Sequence, residues 1–255
     1  MIARRLVAPV VGVLGFLLAW ELLVRAFDVR PFILRAPSRI ITYLFDHLDD
    51  YAGAAWVTIM HAGVGLLLAL LIALMIGAAM AASPFVEQAT QPVLTLVQVT
   101  PFVAYIASVV LWLGSGTRPA VFIVALVCMP AFAFATVDGM RSADPAAREL
   151  LASVDASRWE VLWRLRLPSA TPSLFTTARY NVGLALIAAY LVEGGNFANE
   201  GLGAIGKRAA ALNEGDALWA AVFAMAIIGS LSLVAISLGQ RFALHWHASQ
   251  RSQRR

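Results

Sequence analysis

The side chains of this sequence that could do chemistry gather in four places. The densest is Asp144 to Pro172, DPAARELLASVDASRWEVLWRLRLPSATP, where Arg141, Arg148, Arg158, Arg164 and Arg166 lie in or beside a polar stretch of an otherwise apolar chain. Within it Trp159, Leu162 and Trp163 stand at i, i+3 and i+4, so on a helix they share one face and leave Arg158 and Arg164 elsewhere. Two aromatic anchors rimmed by arginine suit a helix laid into a partner's groove, which is the chemistry of docking. The second place is the pair Arg179 and Glu193, ionisable residues in or near an apolar run and so candidates for function. Fourteen helical residues rise about 21 Å, which also fits the two lying at opposite membrane surfaces. The third, Gly201-Leu202-Gly203-Ala204-Ile205-Gly206, satisfies G-x-G-x-x-G but has no preceding strand, and it reads as a close-packed turn. The fourth is His245 and His247, two ligands without cysteine or carboxylate neighbours and too few to hold a metal.

Other chemistry is excluded or has less support along the sequence, with an ion-coupled secondary transporter kept as an alternative. Cys128 is the only cysteine, so no internal disulfide and no cysteine-based metal site can form. No G-x4-G-K-[ST] phosphate loop occurs, so the chain cannot hold ATP in that way. An intramembrane enzyme would need a convergent set of His, Asp and Ser or a metal, whereas His61 and Glu193 have no partners visible along the sequence. An ion-coupled secondary transporter would carry paired ionisable residues at mid-membrane and internal repeats, and neither is seen. No catalytic residue, cofactor or metal is therefore expected.

The elements that must position these residues follow from composition. Sixty per cent of the chain is hydrophobic and 13% charged, outside the range of a soluble domain. A crossing helix needs roughly 20 apolar residues. Six segments qualify: Leu6 to Leu23, Ala52 to Val86, Gln88 to Thr117, Pro119 to Val137, about Leu174 to Phe197, and Ala217 to Gln240. The fold class is all-α, a polytopic membrane protein with about six transmembrane helices forming a single unit over residues 1–255. The first segment lacks an A-x-A cleavage site and is read as a retained span. Glu21, near its end, is expected to be interfacial or to serve packing. Thr100-Pro101 and Met129-Pro130 are expected to interrupt the third and fourth spans, because proline frees a carbonyl and bends a helix. Gln98, Thr100, Pro101, Tyr105 and Ser108 in the third span, with Asn181 and Glu193 in the fifth, are the candidates for a polar pathway.

Orientation follows from where Lys and Arg fall. With both termini cytoplasmic, eleven lie inside and seven outside. The Arg-rich loop, about residues 139–172, then faces the cytoplasm. The basic tail, about 245–255, touches lipid headgroups, and the pI of about 9.7 needs no nucleic acid to explain it. Two short helices are expected in the loop. Asp144 can cap the first ahead of Pro145, and Ser157-x-x-Glu160 is a capping box for the second.

The spacing of Glu149, Asp155, Leu165 and Leu167-Pro168 resembles the EAA loop of binding-protein-dependent ABC importer permeases, E-A-A-x3-G-x9-I-x-L-P. Leu150 and Leu151 replace the two alanines, and Asp155 replaces a glycine whose left-handed conformation Asp can also adopt. Trp20-Glu21, Ala36-Pro37-Ser38, Thr100-Pro101, Ser157-Arg158-Trp159, Ala178-Arg179, Gly183-Leu184-Ala185, Glu193 and Gly201-Leu202-Gly203 are similar to elements of the nitrate/sulfonate/taurine branch. His61 stands where that branch commonly has arginine.

This resemblance implies an inner-membrane permease subunit that pairs with a second permease and receives a small solute from an extracytoplasmic binding protein. The solute would be an oxyanion or organic anion such as nitrate, sulfonate or taurine, with a vitamin or pyrimidine precursor as the alternative. The resemblance also implies that a separate cytoplasmic ATPase dimer docks on Glu149, Ala152, Asp155, Ser157, Arg158, Trp159, Glu160, Leu165, Leu167 and Pro168. Closure of the ATPases on ATP would then tilt the helices.

Overall fold

Hydrocarbon offers the backbone no hydrogen-bond partner, so long apolar runs satisfy their amides internally as helix. The computed structural model describes residues 2–31, 33–195 and 200–244, and all the regular structure in them is helical. The helices are α1 (Ile2–Ala26), α2 (Pro37–Asp46), α3 (Leu48–Ala82), α4 (Pro84–Val99), α5 (Ile106–Leu113), α6 (Thr117–Arg141), α7 (Pro145–Ser153), α8 (Arg158–Val161), α9 (Leu167–Glu193), α10 (Leu202–Ala211) and α11 (Gly215–Ala243). A 3-10 turn, Phe102–Tyr105, precedes α5, and a π turn, Leu162–Arg166, joins α8 to α9. The basic tail with His245 and His247, and the expected end of the fifth span at Phe197, lie outside the described residues.

Five helical segments are long and apolar enough to cross a membrane: Val7–Ala26, Leu48–Ala82, Thr117–Arg141, Arg158–Glu193 and Gly215–Ala243. Where the third crossing was expected the chain forms two arms, α4 and Phe102–Leu113, bent by 84°. The cause is local. Pro101 has no amide hydrogen and drives the residue before it out of the helical region, and Thr100 is extended at φ −72°, ψ 124°. The expected interruption at Met129-Pro130 does not occur, because α6 runs unbroken from Thr117 to Arg141 with Pro130 buried inside it. There α6 lies between α3 and α9, and packing from both sides holds it to a helical course.

That three-helix layer is the core, and small residues let it close. Gly65 of α3 meets Val124 of α6 with no room for a β-carbon, Gly77 meets Thr136 in the same way, and Gly139 of α6 meets Ala170 of α9. Fully buried Ala69, Ala73, Ala133, Ala185, Ala188 and Ala189 extend the contact. Close backbone approach is how helices associate where lipid is as apolar as leucine.

At the periphery, only 6% of the apolar window of α1 is buried. Trp20 stacks edge-on to Trp219 of α11 at 5.3 Å. The carboxylate of Glu21 accepts from Arg25 Nε at 2.7 Å, Ser38 Oγ at 2.8 Å and Ser38 N at 2.9 Å, the last two at the start of α2. An anion there completes an unpaired helix N-terminus, so Glu21 ties two elements together.

Candidate functional site

In the Arg-rich stretch, Asp144 Oδ1 accepts from the Ala146 amide at 3.0 Å and starts α7 on Pro145. After Ser153 the chain turns through Asp155, which has a left-handed φ of 51°. At Ser157 the capping box forms in both directions: Glu160 N donates to Ser157 Oγ at 3.3 Å, and Ser157 N donates to Glu160 Oε2 at 3.0 Å. The helix it starts is not the separate short one expected. Arg158–Val161 passes through the π turn, where Leu167 N donates to Leu162 O, and continues as α9. Pro168, in the turn that follows, cannot donate to the carbonyl behind it. Widening by one residue lets the rod proceed where a break was expected.

The exposed tryptophans and the fifth span therefore belong to one continuous helical rod from Arg158 to Glu193. Trp159 and Trp163 are 65% and 55% exposed and stack on each other at 5.5 Å. Glu149, Ala152 and Arg158 are exposed beside them, Arg164 pairs with Glu160 at 3.7 Å, and Leu165, Leu167 and Pro168 are half-buried beneath. At the same end of the bundle, Arg141 of α6 grips Glu87 of α4 through two bonds of 2.8 and 2.6 Å.

The pathway candidates separate into two groups. Gln98, Thr100, Pro101 and Ser108 are exposed and Tyr105 half-buried, all around the break between α4 and α5, with Thr100 Oγ1 donating to Leu96 O at 2.7 Å. Asn181 is instead buried, its amide donating to the Cys128 carbonyl at 3.0 Å and stapling α9 to α6. Asn181 is 3% and Glu193 2% exposed.

Glu193 is the largest departure from expectation. A residue near the end of a span could face water, but Glu193 is 2% exposed at the end of α9. Thr58 Oγ1 donates to its Oε2 at 2.7 Å, the Gly203 amide donates to the same oxygen at 3.1 Å, and His61 Nδ1 lies 2.9 Å from Oε1. Toward an ionised Glu193, which can only accept, His61 donates from Nδ1. His61 Nε2 then lies 3.2 Å from Thr117 Oγ1, and the Leu202 amide donates to Thr58 Oγ1 at 3.0 Å. The two residues that showed no partners along the sequence are partners of each other, from α3 and α9. At Gly201, φ 89°, a β-carbon would collide with the Glu193 carboxylate, and at Gly203 it would collide first with the Tyr190 carbonyl and then with the Glu193 β-carbon.

Around this end lie Arg35 and Arg39, which pair with Asp216 at 3.0 and 2.8 Å, and Tyr51, which donates to Ala217 O at 2.8 Å. Burial, with Glu214, Asp216 and Asp50 nearby, pushes the Tyr43 phenol above its ordinary range. Among the described residues no three His, Cys, Asp or Glu side chains converge as a metal would require.

Residues 65–244 match the family model of the binding-protein-dependent transport system inner membrane component. The chain is 28% identical over 243 residues to the formylaminopyrimidine transport permease protein of Halalkalibacterium halodurans, covering 95% of this chain and 96% of that one. It is 28% identical over 251 residues to the taurine transport system permease protein of Escherichia coli, covering 93% and 89%. In fold it is similar to the MetNI methionine ABC transporter in an inward-facing crystal form, with a TM-score of 0.68, 15% identity, and 78% of this chain and 98% of that one covered. The match to a bacterial ABC transporter that imports alginate has a TM-score of 0.59 at 17% identity, over 94% of both chains. A helical bundle with five or six crossings, an exposed aromatic loop at one end, and a family match over most of its length define the chain as a member of the binding-protein-dependent transport system inner membrane component family.

Proposed function

We propose that this chain forms the translocation path of an ATP-driven importer and borrows its energy from a separate cytoplasmic ATPase. The observation that carries this reading is the outward presentation of Trp159 and Trp163 on a rod continuous with the fifth span. Force applied to those rings tilts α9 as a unit. Two such chains, or this chain and a second permease, enclose the path, and an extracytoplasmic binding protein delivers the solute. Rearranging the helices requires a difference in binding energy between states, which ATP supplies by holding the ATPases closed. The chain lies in a bacterial inner membrane with the Arg-rich loop and both termini cytoplasmic.

The solute is an oxyanion or small organic anion. Relatives that transport taurine, aliphatic sulfonates and bicarbonate support this class. A pyrimidine precursor is the second reading, favoured by the relative named for formylaminopyrimidine, which matches along nearly the whole chain. The test is uptake into vesicles containing this subunit, its ATPase and its binding protein, with taurine and formylaminopyrimidine as competing labelled solutes. Uptake that needs ATP and the binding protein is expected. Uptake by the lone subunit without ATP would overturn the proposal.

A further inference from the structure

A buried carboxylate persists only where donors offset the loss of its water. Those around Glu193 come from two different elements. Thr58 and His61 belong to α3, while the Gly203 amide opens α10, so the carboxylate at the end of α9 holds three helices at one point. The ten-residue α10 presents its positive end to that charge. Thr58 adds a further link, since its oxygen also receives the Leu202 amide. A β-carbon at 201 would collide with the Glu193 carboxylate, so the turn at that residue is shaped around this side chain.

We propose that Glu193 is a positioning residue for transport: its carboxylate, gripped by Thr58, His61 and the Gly203 amide, clasps the 201–203 turn and the first turn of α10 onto α3 and so sets the outer end of the path. The proposal rests on the importer reading given above. A cavity of about 110 Å³ lies directly beside the clasp, lined by His61, Ser115, Gly116, Glu193 and Glu200 among others. Truncating the side chain in Glu193→Ala removes the acceptor of His61 Nδ1 and of the Gly203 amide, while the Thr58 hydroxyl keeps the Ala54 carbonyl at 3.2 Å, and it does so next to a space that a small carboxylate can enter. The clasp is therefore open to chemical rescue, which a purely space-filling role is not.

The experiment uses the full complex in vesicles. Glu193→Ala is expected to lower ATP-dependent uptake at least about tenfold, the scale of losing a charge-assisted hydrogen bond. Formate should restore much of it, acetate less because it is larger, and chloride none. Adding Thr58→Val should abolish the formate effect, and His61→Arg should stay within about threefold of the parent because a donor to the carboxylate is kept.

A second readout does not need transport. Ala204, in the first turn of α10, is 7% exposed. In a Cys128→Ala background, Ala204→Cys should resist a membrane-impermeant maleimide, become reactive when Glu193→Ala is added, and be protected again by formate. If Glu193→Ala prevents assembly, Thr58→Val alone carries both measurements, and it should lower uptake and expose position 204. Parent-like uptake with position 204 still protected in Glu193→Ala would overturn the clasp, as would a loss of uptake that formate does not touch. Failure of the importer reading would look different, because the parent complex would show no ATP-dependent uptake while the labelling pattern stood.

Discussion

At position 155 a left-handed backbone is carried by a residue with a β-carbon, which costs roughly 1–2 kcal/mol relative to glycine. Asp155→Gly is expected to raise the melting temperature of the purified complex by a few degrees with docking intact. Asp155→Val, whose branched side chain fits that region badly, should lower it and loosen the ATPase. The exposed rings make a sharper case. Trp159→Ala removes a hot-spot anchor and should weaken ATPase association by about 2 kcal/mol, or thirtyfold, and Glu149→Ala should weaken it in the same direction. Co-purification and titration of the ATPase onto reconstituted permease measure both. Normal association and uptake in both variants would refute the docking assignment.

Among the elements, those fixed by neighbours along the chain were legible in the sequence. The spans follow from uncharged length, and Asp144, Ser157 and Glu160 form their caps because capping is decided within three residues. Proline was legible only halfway. At Thr100-Pro101 nothing opposes it and the helix breaks, whereas at Pro130 two flanking helices hold the course, and at Pro168 a π turn absorbs it. Packing from other parts of the chain decides such cases. The clasp was illegible for a related reason, since His61 and Glu193 are 132 positions apart and each looks isolated in its own apolar run. The break itself is testable. Pro101→Ala should let α4 continue toward α5, lengthening the spin-label distance between Glu87 and Ser108 and reducing uptake severalfold, because the exposed polar residues at the bend would be displaced. An unchanged distance would show that packing, not proline, sets the angle.

For the whole molecule, the alternation of helix ends predicts which residues share a compartment. α2, α10 and the Glu193 clasp gather at one end, while α7, α8 and the Arg141–Glu87 pair gather at the other. In intact cells Asp50→Cys should react with an impermeant reagent and Ala152→Cys should not, until the membrane is opened. The reverse pattern would invert the topology and remove the proposed docking face from the cytoplasm. The bent pair of arms carries a consequence for how the chain is made. α4 has 16 residues and α5 has 8, about 24 and 12 Å of helix, and neither alone traverses roughly 30 Å of hydrocarbon. When this region emerges from the ribosome it has no finished membrane segment to release. Stable insertion of this region is therefore expected to need α6 behind it, so a chain ended at Leu113 should leave Pro84–Leu113 extractable from the membrane by alkali, and one ended after Arg141 should not.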